Sequence, residues 1–348
     1  MDQQSIQSKK GEVEFRKKLY QLQVEGEAAV NDEYQKADIE RLLAERMQKT
    51  LTQMTALKKA GIVSSPYLEI GAERCQRSLV MENDLNEAGA ASDISFYSLK
   101  SCDYYLTKFN KTKAPVRICC DIYNLPFMTN SIPFIFCYET LHHFPEPGPV
   151  LQQINRVLMP GGYFYLDEEP YKVMLHVNLY NGNKIYSEEA LKSSRWRQIV
   201  DFFFARPSCN EIEHGIIENH QISIQAWKQA LGLFGEVRLK LNSMRDIEVD
   251  LSGPHNALTY LVAKMFGGRI SGICRKNGKL ENKPARIEDL LICPGCLEKG
   301  EESTLIKENS VFTCGRCSAK YPIVDGVIFL FSRAKFEELY PEIYKSRC

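Results

Sequence analysis

Along the middle of this chain, short apolar runs alternate with stretches whose apolar residues recur at helical spacing. Tyr67–Ile70 reads as a buried strand, Gln76–Leu85 as a helix and Ala88–Ser92 as a weak strand. A helix is predicted over Phe96–Phe109, then strands at Val116–Cys120 and Phe134–Tyr138. A helix over Val150–Leu158 leads through "MPGG" into a strand at Tyr163–Asp167. Such alternation predicts right-handed crossovers and a mostly parallel, Rossmann-like α/β sheet.

The flanks differ. Residues 1–30 are polar and mixed in charge, an arm that is loose or peripherally helical. Between Asp38 and Ala60, Leu43, Met47, Leu51, Met54 and Leu57 fall on one face, predicting a helix capped by Gly61. Residues 1–61 thus form an N-terminal helical segment ahead of a main domain at 62–266. Within it, 168–220 breaks the rhythm; rich in Tyr, Phe and Trp, with a helix expected over "SEEALKSSRWRQIVDFFFA", it reads as an insertion or lid. A helix at Ser223–Leu231 and a strand in "EVRLKL" follow, and Ala257–Phe266 is expected to be the last strand. Two strands in succession predict an antiparallel pair closing a seven-stranded sheet. Residues 267–286, rich in Gly and basic side chains, read as a linker.

Composition narrows the function. The 348 residues carry 44 basic and 44 acidic side chains, so no global field favours nucleic acid or a membrane surface. No apolar run is long enough to span a bilayer, and the first residues lack the apolar core of a secretory signal. The 12 cysteines are therefore expected as reduced thiols, with the cytoplasm as the compartment.

Four of those cysteines form a pattern. Cys293 and Cys296 are followed by Cys314 and Cys317 in a C-x2-C-x17-C-x2-C arrangement. Two CxxC turns aim four thiolates at one ion, the tetrahedral set of a structural Zn2+ with no open position for catalysis. Further on, "YPIVDGVIFLF" places Asp325-Gly326 as a hairpin turn. The stretch Leu290–Phe331 resembles the small zinc-ribbon family that activates and stabilises tRNA and translation-factor methyltransferases. That resemblance implies a zinc-ribbon domain at 287–332, followed by a tail at 333–348, and a possible protein partner.

The main domain resembles class I S-adenosylmethionine (SAM) dependent methyltransferases of the small-molecule type, through signatures at successive strand ends. In "LEIGAERC", the resemblance implies that Glu69 and Gly71 contact the methionine part of SAM. Glu73 and Cys75 stand where the family has further glycines; Glu73 is expected to face the SAM ammonium or solvent. Asp93 ends the second strand, as a ribose-binding carboxylate or a helix cap. By resemblance Asp121 accepts from the adenine amino group and the Ile122 amide meets the ring, while Tyr138 closes the fourth strand at the cofactor.

After that strand, "CYETLHHF" offers His142 and His143 as candidate bases, with His220 a further one, or else as packing and capping residues. Glu168 and Glu169 bind substrate or face water. The Asn/Asp-Pro-Pro-aromatic motif of enzymes acting on adenine, cytosine or glutamine nitrogens is missing. The expected reaction is methyl transfer to an oxygen or carbon of a small-molecule, lipid-precursor or glycan-like acceptor. Rival readings are a catalytically silent SAM-fold protein and an RNA or protein methyltransferase steered by the ribbon.

Overall fold

The structure, a computed structural model, describes residues 3–23, 36–172, 215–217, 219–243, 248–280 and 285–347. Most of the expected insertion, with its aromatic helix, lies outside the described residues.

Two helices, α1 (Gln3–Gln23) and α2 (Lys36–Lys59), precede the sheet. The next elements are β1 (Tyr67–Ile70), α3 (Gln76–Asn83), β2 (Gly89–Asp93), α4 (Phe96–Lys100) and α5 (Cys102–Lys108). Then come β3 (Val116–Cys120), β4 (Ile132–Tyr138), α6 (Pro147–Val157) and β5 (Leu158–Pro170). β1 pairs in parallel with β2 and β4, β2 with β3, and β4 with β5. Strand order therefore reverses between β1 and β4, the switch point outside which open α/β sheets bind ligands. The single helix expected over Phe96–Phe109 is two, with Ser95 capping the first through the Ser98 amide and Ser101 ending it.

The other edge corrects the sequence reading. Ala257–Phe266 is a helix, not the last strand. Its punctuation is clear: the Asn256 side chain accepts from the amides of Leu258 and Thr259, and Gly267 at φ 86 stops it. The last strand of the core is β8 (Gly268–Arg275), inside the expected linker. It pairs antiparallel with β5 on one side and with β6 (Glu236–Ser243) on the other, while β7 (Glu248–Asp250) extends the edge. Glycine here marks close packing: a Cβ on Gly272 would come within 2.6 Å of the Leu239 side chain and 3.0 Å of Leu166. The main unit thus runs past residue 266, and β6-β8-β5-β4-β1-β2-β3 forms the expected seven-stranded Rossmann-like core.

The cysteine-bearing segment is no satellite. Its strands β9 (Leu305–Glu308), β10 (Val311–Cys314), β11 (Lys320–Val324) and β12 (Val327–Leu330) continue the sheet from β3, because β12 pairs in parallel with β3. Asp325 and Gly326, both at positive φ, make the hairpin turn between β11 and β12. Val327 and Phe329 pack with Phe96 and Leu99, while Ile328 and Leu330 join the core under β1, β3 and β4 on the other face. The expected tail holds two helices, Arg333–Leu339 and Pro341–Arg347. Tyr340 is buried there, its hydroxyl donating to the Ile94 carbonyl and accepting from the Phe96 amide.

Candidate functional site

At the carboxyl ends of β1 to β4, under α1 and α2, lies a cavity of about 360 Å³. Its walls carry Gly71, Glu73, Asp93, Asp121, Ile122, Tyr138, His142, His143 and His220, residues gathered from five separate stretches of chain. Glu69 is not among them. Its carboxylate lies beneath, accepting from the Ser78 amide at 3.0 Å and from the Ser78 hydroxyl, so it anchors α3 rather than reaching the cavity. Burial pushes that carboxyl up to about 7, against the pull of Arg77 and Ser78.

The loop after β1 keeps a glycine-type backbone without the glycines. Gly71 has φ 67, Glu73 φ 44 and Cys75 φ 61. Each non-glycine residue in this left-handed region costs roughly 1–2 kcal/mol, so the surroundings must hold the turn in place. At Gly71 glycine is required twice over, since a Cβ would collide with the Thr140 side chain. The Glu73 amide donates to Asp93 at 2.9 Å. Its carboxylate, at the cavity wall, lies 3.1 Å from Arg46 and 3.4 Å from Arg16. Burial raises the Glu73 carboxyl, but Arg46, Arg74 and Arg16 more than reverse this and hold it far below the usual range.

Asp93 is not the cap of α4, a role Ser95 fills. Its second oxygen accepts from the Ser95 amide at 2.8 Å, and burial pushes the carboxyl up to about 7. Asp121 accepts from the Tyr123 amide at 3.1 Å and pairs with Lys9 of α1 at 2.7 Å and with Lys335 at 3.0 Å. Burial works against its charge, yet the two lysines leave its pKa below the ordinary value. Tyr138 turns its hydroxyl to Gln53 of α2 at 2.9 Å, and the Arg77 guanidinium sits 4.2 Å from its ring centroid.

The three histidines meet. The His142 ring centroid is 4.3 Å from that of His143 and 5.6 Å from that of His220. Sequence reasoning missed what lies behind them. Glu169, wholly buried, accepts from the amides of Thr140, Leu141 and His142 at 2.8, 2.9 and 3.2 Å. The same carboxylate lies 2.9 Å from Nδ1 of His142. Glu168 also avoids water, pairing with Lys49 at 2.7 Å, Arg269 at 2.9 Å and Arg77 at 3.3 Å. The charged partners Arg16, Arg46 and Lys9 were equally invisible, because nothing in their local sequence points to the strand ends.

Among the described residues, one set of side chains has metal-binding geometry, and it is not the histidines. The Sγ atoms of Cys293, Cys296, Cys314 and Cys317 all lie within 4.8 Å of one another. Cys293 and Cys317 are 3.6 Å apart and Cys296 and Cys314 3.8 Å, close to the edges of a tetrahedron built on bonds of about 2.3 Å. The Cys296 and Cys317 amides point at the Sγ atoms of Cys293 and Cys314, and Tyr321 and Ser303 hydroxyls lie 2.9 and 3.2 Å from the same two sulfurs. Such donors stabilise thiolates and orient them.

Residues 68–166 match a family model described as a methyltransferase domain. Over 89 residues the chain is 34% identical to an uncharacterized chloroplastic methyltransferase of Arabidopsis thaliana, covering 25% of each protein. Over 68 residues it is 34% identical to the sterol 24-C-methyltransferase of Schizosaccharomyces pombe, covering 20% of this chain and 18% of that one. The chain thus spans a quarter or less of the length of these curated relatives. Among solved structures, it is similar to magnesium protoporphyrin IX methyltransferase from Synechocystis with bound SAM (13% identity, 75% of this chain, 90% of that chain, TM-score 0.41). It is also similar to a chain in the complex between the Trm112 methyltransferase activator of Haloferax volcanii and a methyltransferase (16% identity, 71% of this chain, 96% of that chain, TM-score 0.41).

Proposed function

We propose that the protein is a SAM-dependent methyltransferase acting on an oxygen or carbon of a small-molecule, lipid-precursor or sugar acceptor. One observation carries this reading. Gly71, Asp93, Asp121 and Ile122, from the ends of three neighbouring strands and all within the stretch that matches the methyltransferase-domain model, line one cavity with the histidine cluster. The cavity volume falls in the roughly 300–1,000 Å³ range of small-molecule sites.

These residues fit SAM. Asp93 suits the ribose hydroxyls, Asp121 and Ile122 the adenine, and the backbone around Gly71 the methionine end. When bound, SAM supplies a methyl group made electrophilic by its sulfonium. The protein's part is to hold an acceptor in line with it and to exclude water, which alone supplies much of the acceleration. Under the same reading the four cysteines hold a structural Zn2+, and the ribbon is of the methyltransferase-activator type, working here on its own chain. Its outer strand β9, with Ile306 exposed, is the edge open to a protein partner. Reduced thiols fit a cytoplasmic setting.

Calorimetric titration with SAM tests the proposal. Wild type should bind, and Asp93→Ala and Asp121→Ala should each lose about 1–3 kcal/mol, the usual cost of leaving a polar ligand group without its partner. Unaltered affinity in both variants would place the site elsewhere. A second reading, a SAM-fold protein without catalysis, is favoured by the ion pairs of Lys9 with Asp121 and of Arg16 with Glu73. It predicts no SAM binding in wild type.

A further inference from the structure

We infer that Glu169 is a positioning residue that fixes His142 as its Nδ1–H tautomer, making Nε2 the proton acceptor for a methyl acceptor bearing an O–H group. The inference rests on the methyltransferase reading and deepens it, from an oxygen or carbon to a protic oxygen.

The geometry leaves little freedom. Glu169 sits at the end of β5, at zero exposure, and the three amides it accepts span the turn after β4. With Nδ1 of His142 at 2.9 Å, every polar group recorded against this carboxylate is a donor or can act as one. The three amides can only donate, so a carboxyl proton could be shared with Nδ1 of the ring alone. Burial raises the Glu169 carboxyl, but the His142 ring and the Leu141 and Thr140 amides outweigh it and keep the group below the ordinary carboxylate range. An ionised carboxylate only accepts, so the shared proton resides on Nδ1, and the ring in its neutral form carries its lone pair at Nε2.

One side chain therefore sets both the backbone of residues 140–142 and the orientation of the ring they carry. That is the rigid support a reacting group needs. His143 and His220 flank the ring, and Nδ1 of His143 lies 3.1 Å from the Ile217 carbonyl, so the flanking imidazole is oriented too. The arrangement suits an alcohol or phenol, which is a poor nucleophile until its proton leaves. In the step, the acceptor's O–H bond breaks and its proton passes to Nε2. The oxygen pair forms the bond to the methyl carbon, while the carbon–sulfur pair stays with sulfur. The imidazolium, paired with the Glu169 carboxylate, then returns the proton to water.

The test needs neither acceptor nor turnover. Long-range proton–nitrogen correlation spectra of 15N-histidine-labelled protein separate protonated from lone-pair ring nitrogens, and His142→Gln assigns the signal by its loss. Wild type should show Nδ1 protonated and Nε2 bearing the lone pair. In Glu169→Gln the amide oxygen can keep the Thr140 and Leu141 amides while the NH2 donates to Nδ1, so the tautomer should reverse. A wild-type Nε2–H tautomer would overturn the inference, as would an unchanged tautomer in a folded Glu169→Gln. Should that variant not fold, the wild-type spectrum still decides. SAM titration of the same sample keeps the two readings apart: absent binding removes the methyltransferase, whereas the wrong tautomer removes only the role of Glu169.

Discussion

Glu69 and Glu73 are four residues apart and have opposite electrostatic fates. Glu73 meets arginines from α1 and α2 and stays ionised, whereas Glu69 is sealed under β1 with the Ser78 amide and hydroxyl as its hydrogen-bond donors. A carboxyl whose folded pKa lies above its unfolded value gives stability that is complete at low pH and lost as pH climbs through the folded value. For Glu69, raised to about 7, the loss runs from about pH 4 to pH 7. Glu69→Gln keeps an acceptor for Ser78 and removes the charge. Its melting temperature should therefore fall less between pH 5 and pH 8 (roughly the window below and above that folded value) than that of wild type. Parallel pH dependence in the two proteins, read by calorimetry, would mean that Glu69 does not titrate in this window. The positions that meet at the cavity, Gly71, Asp93, Asp121 and Ile122, were legible because a strand end and a turn leave a local signature. The same signature cannot say whether a carboxylate points up into the cavity or, like that of Glu69, down onto α3.

At the scale of elements, α1 matters most to the site and was least visible. Its polar, mixed-charge sequence lacks a wide apolar stripe, yet Val13, Phe15 and Leu19 are buried and Lys9, Glu12 and Arg16 line the cavity. Lys9 stands 2.7 Å from the carboxylate proposed to accept the adenine amino group, so binding must trade one donor for another. Lys9→Met should strengthen SAM binding by up to about tenfold, near 1.4 kcal/mol, because Lys335 remains to keep Asp121 ionised. Weaker binding in this variant would make α1 a contributor to the site rather than a competitor, and titration of the two proteins side by side decides. Elsewhere, errors followed from ambiguous runs. "ALTYLVAKMF" is apolar but for Thr259 and Lys264, with β-branched and aromatic residues, and periodicity cannot separate a buried strand from a helix in such a run. Its ten residues and the flanking Asn256 and Gly267 were the better guide.

Among the described residues the strands named above form one sheet of twelve, and this changes what the four cysteines hold together. The glycine-rich, basic stretch after residue 266 read as a linker, but β8 lies within it, paired on both sides between β5 and β6. Pairing of β12 with β3 brings together residues more than 200 positions apart, a contact no local pattern encodes. Cys293, Cys296 and Cys314 belong to the same apolar core as Ile118, Leu125 and Phe127 of the main unit. A zinc site closed by four thiolates contributes on the order of 10–16 kcal/mol to the fold it holds, comparable with the roughly 5–15 kcal/mol of a whole domain. Freshly purified protein should hold one zinc per chain by elemental analysis. Because the strands of the cysteine-bearing segment cover the β3 edge and the helices after them bury Tyr340 beside Phe96, removing a bound zinc should not melt that segment in isolation. Chelation, or Cys296→Ser, should instead shift a single cooperative transition downward in calorimetry and weaken SAM binding, since Lys335, which pairs with Asp121, and the Pro294 carbonyl, which accepts from Asn124, come from this segment. Two separate transitions, with the upper one unmoved by chelator, would show that the ribbon folds independently and that the shared core does not couple them.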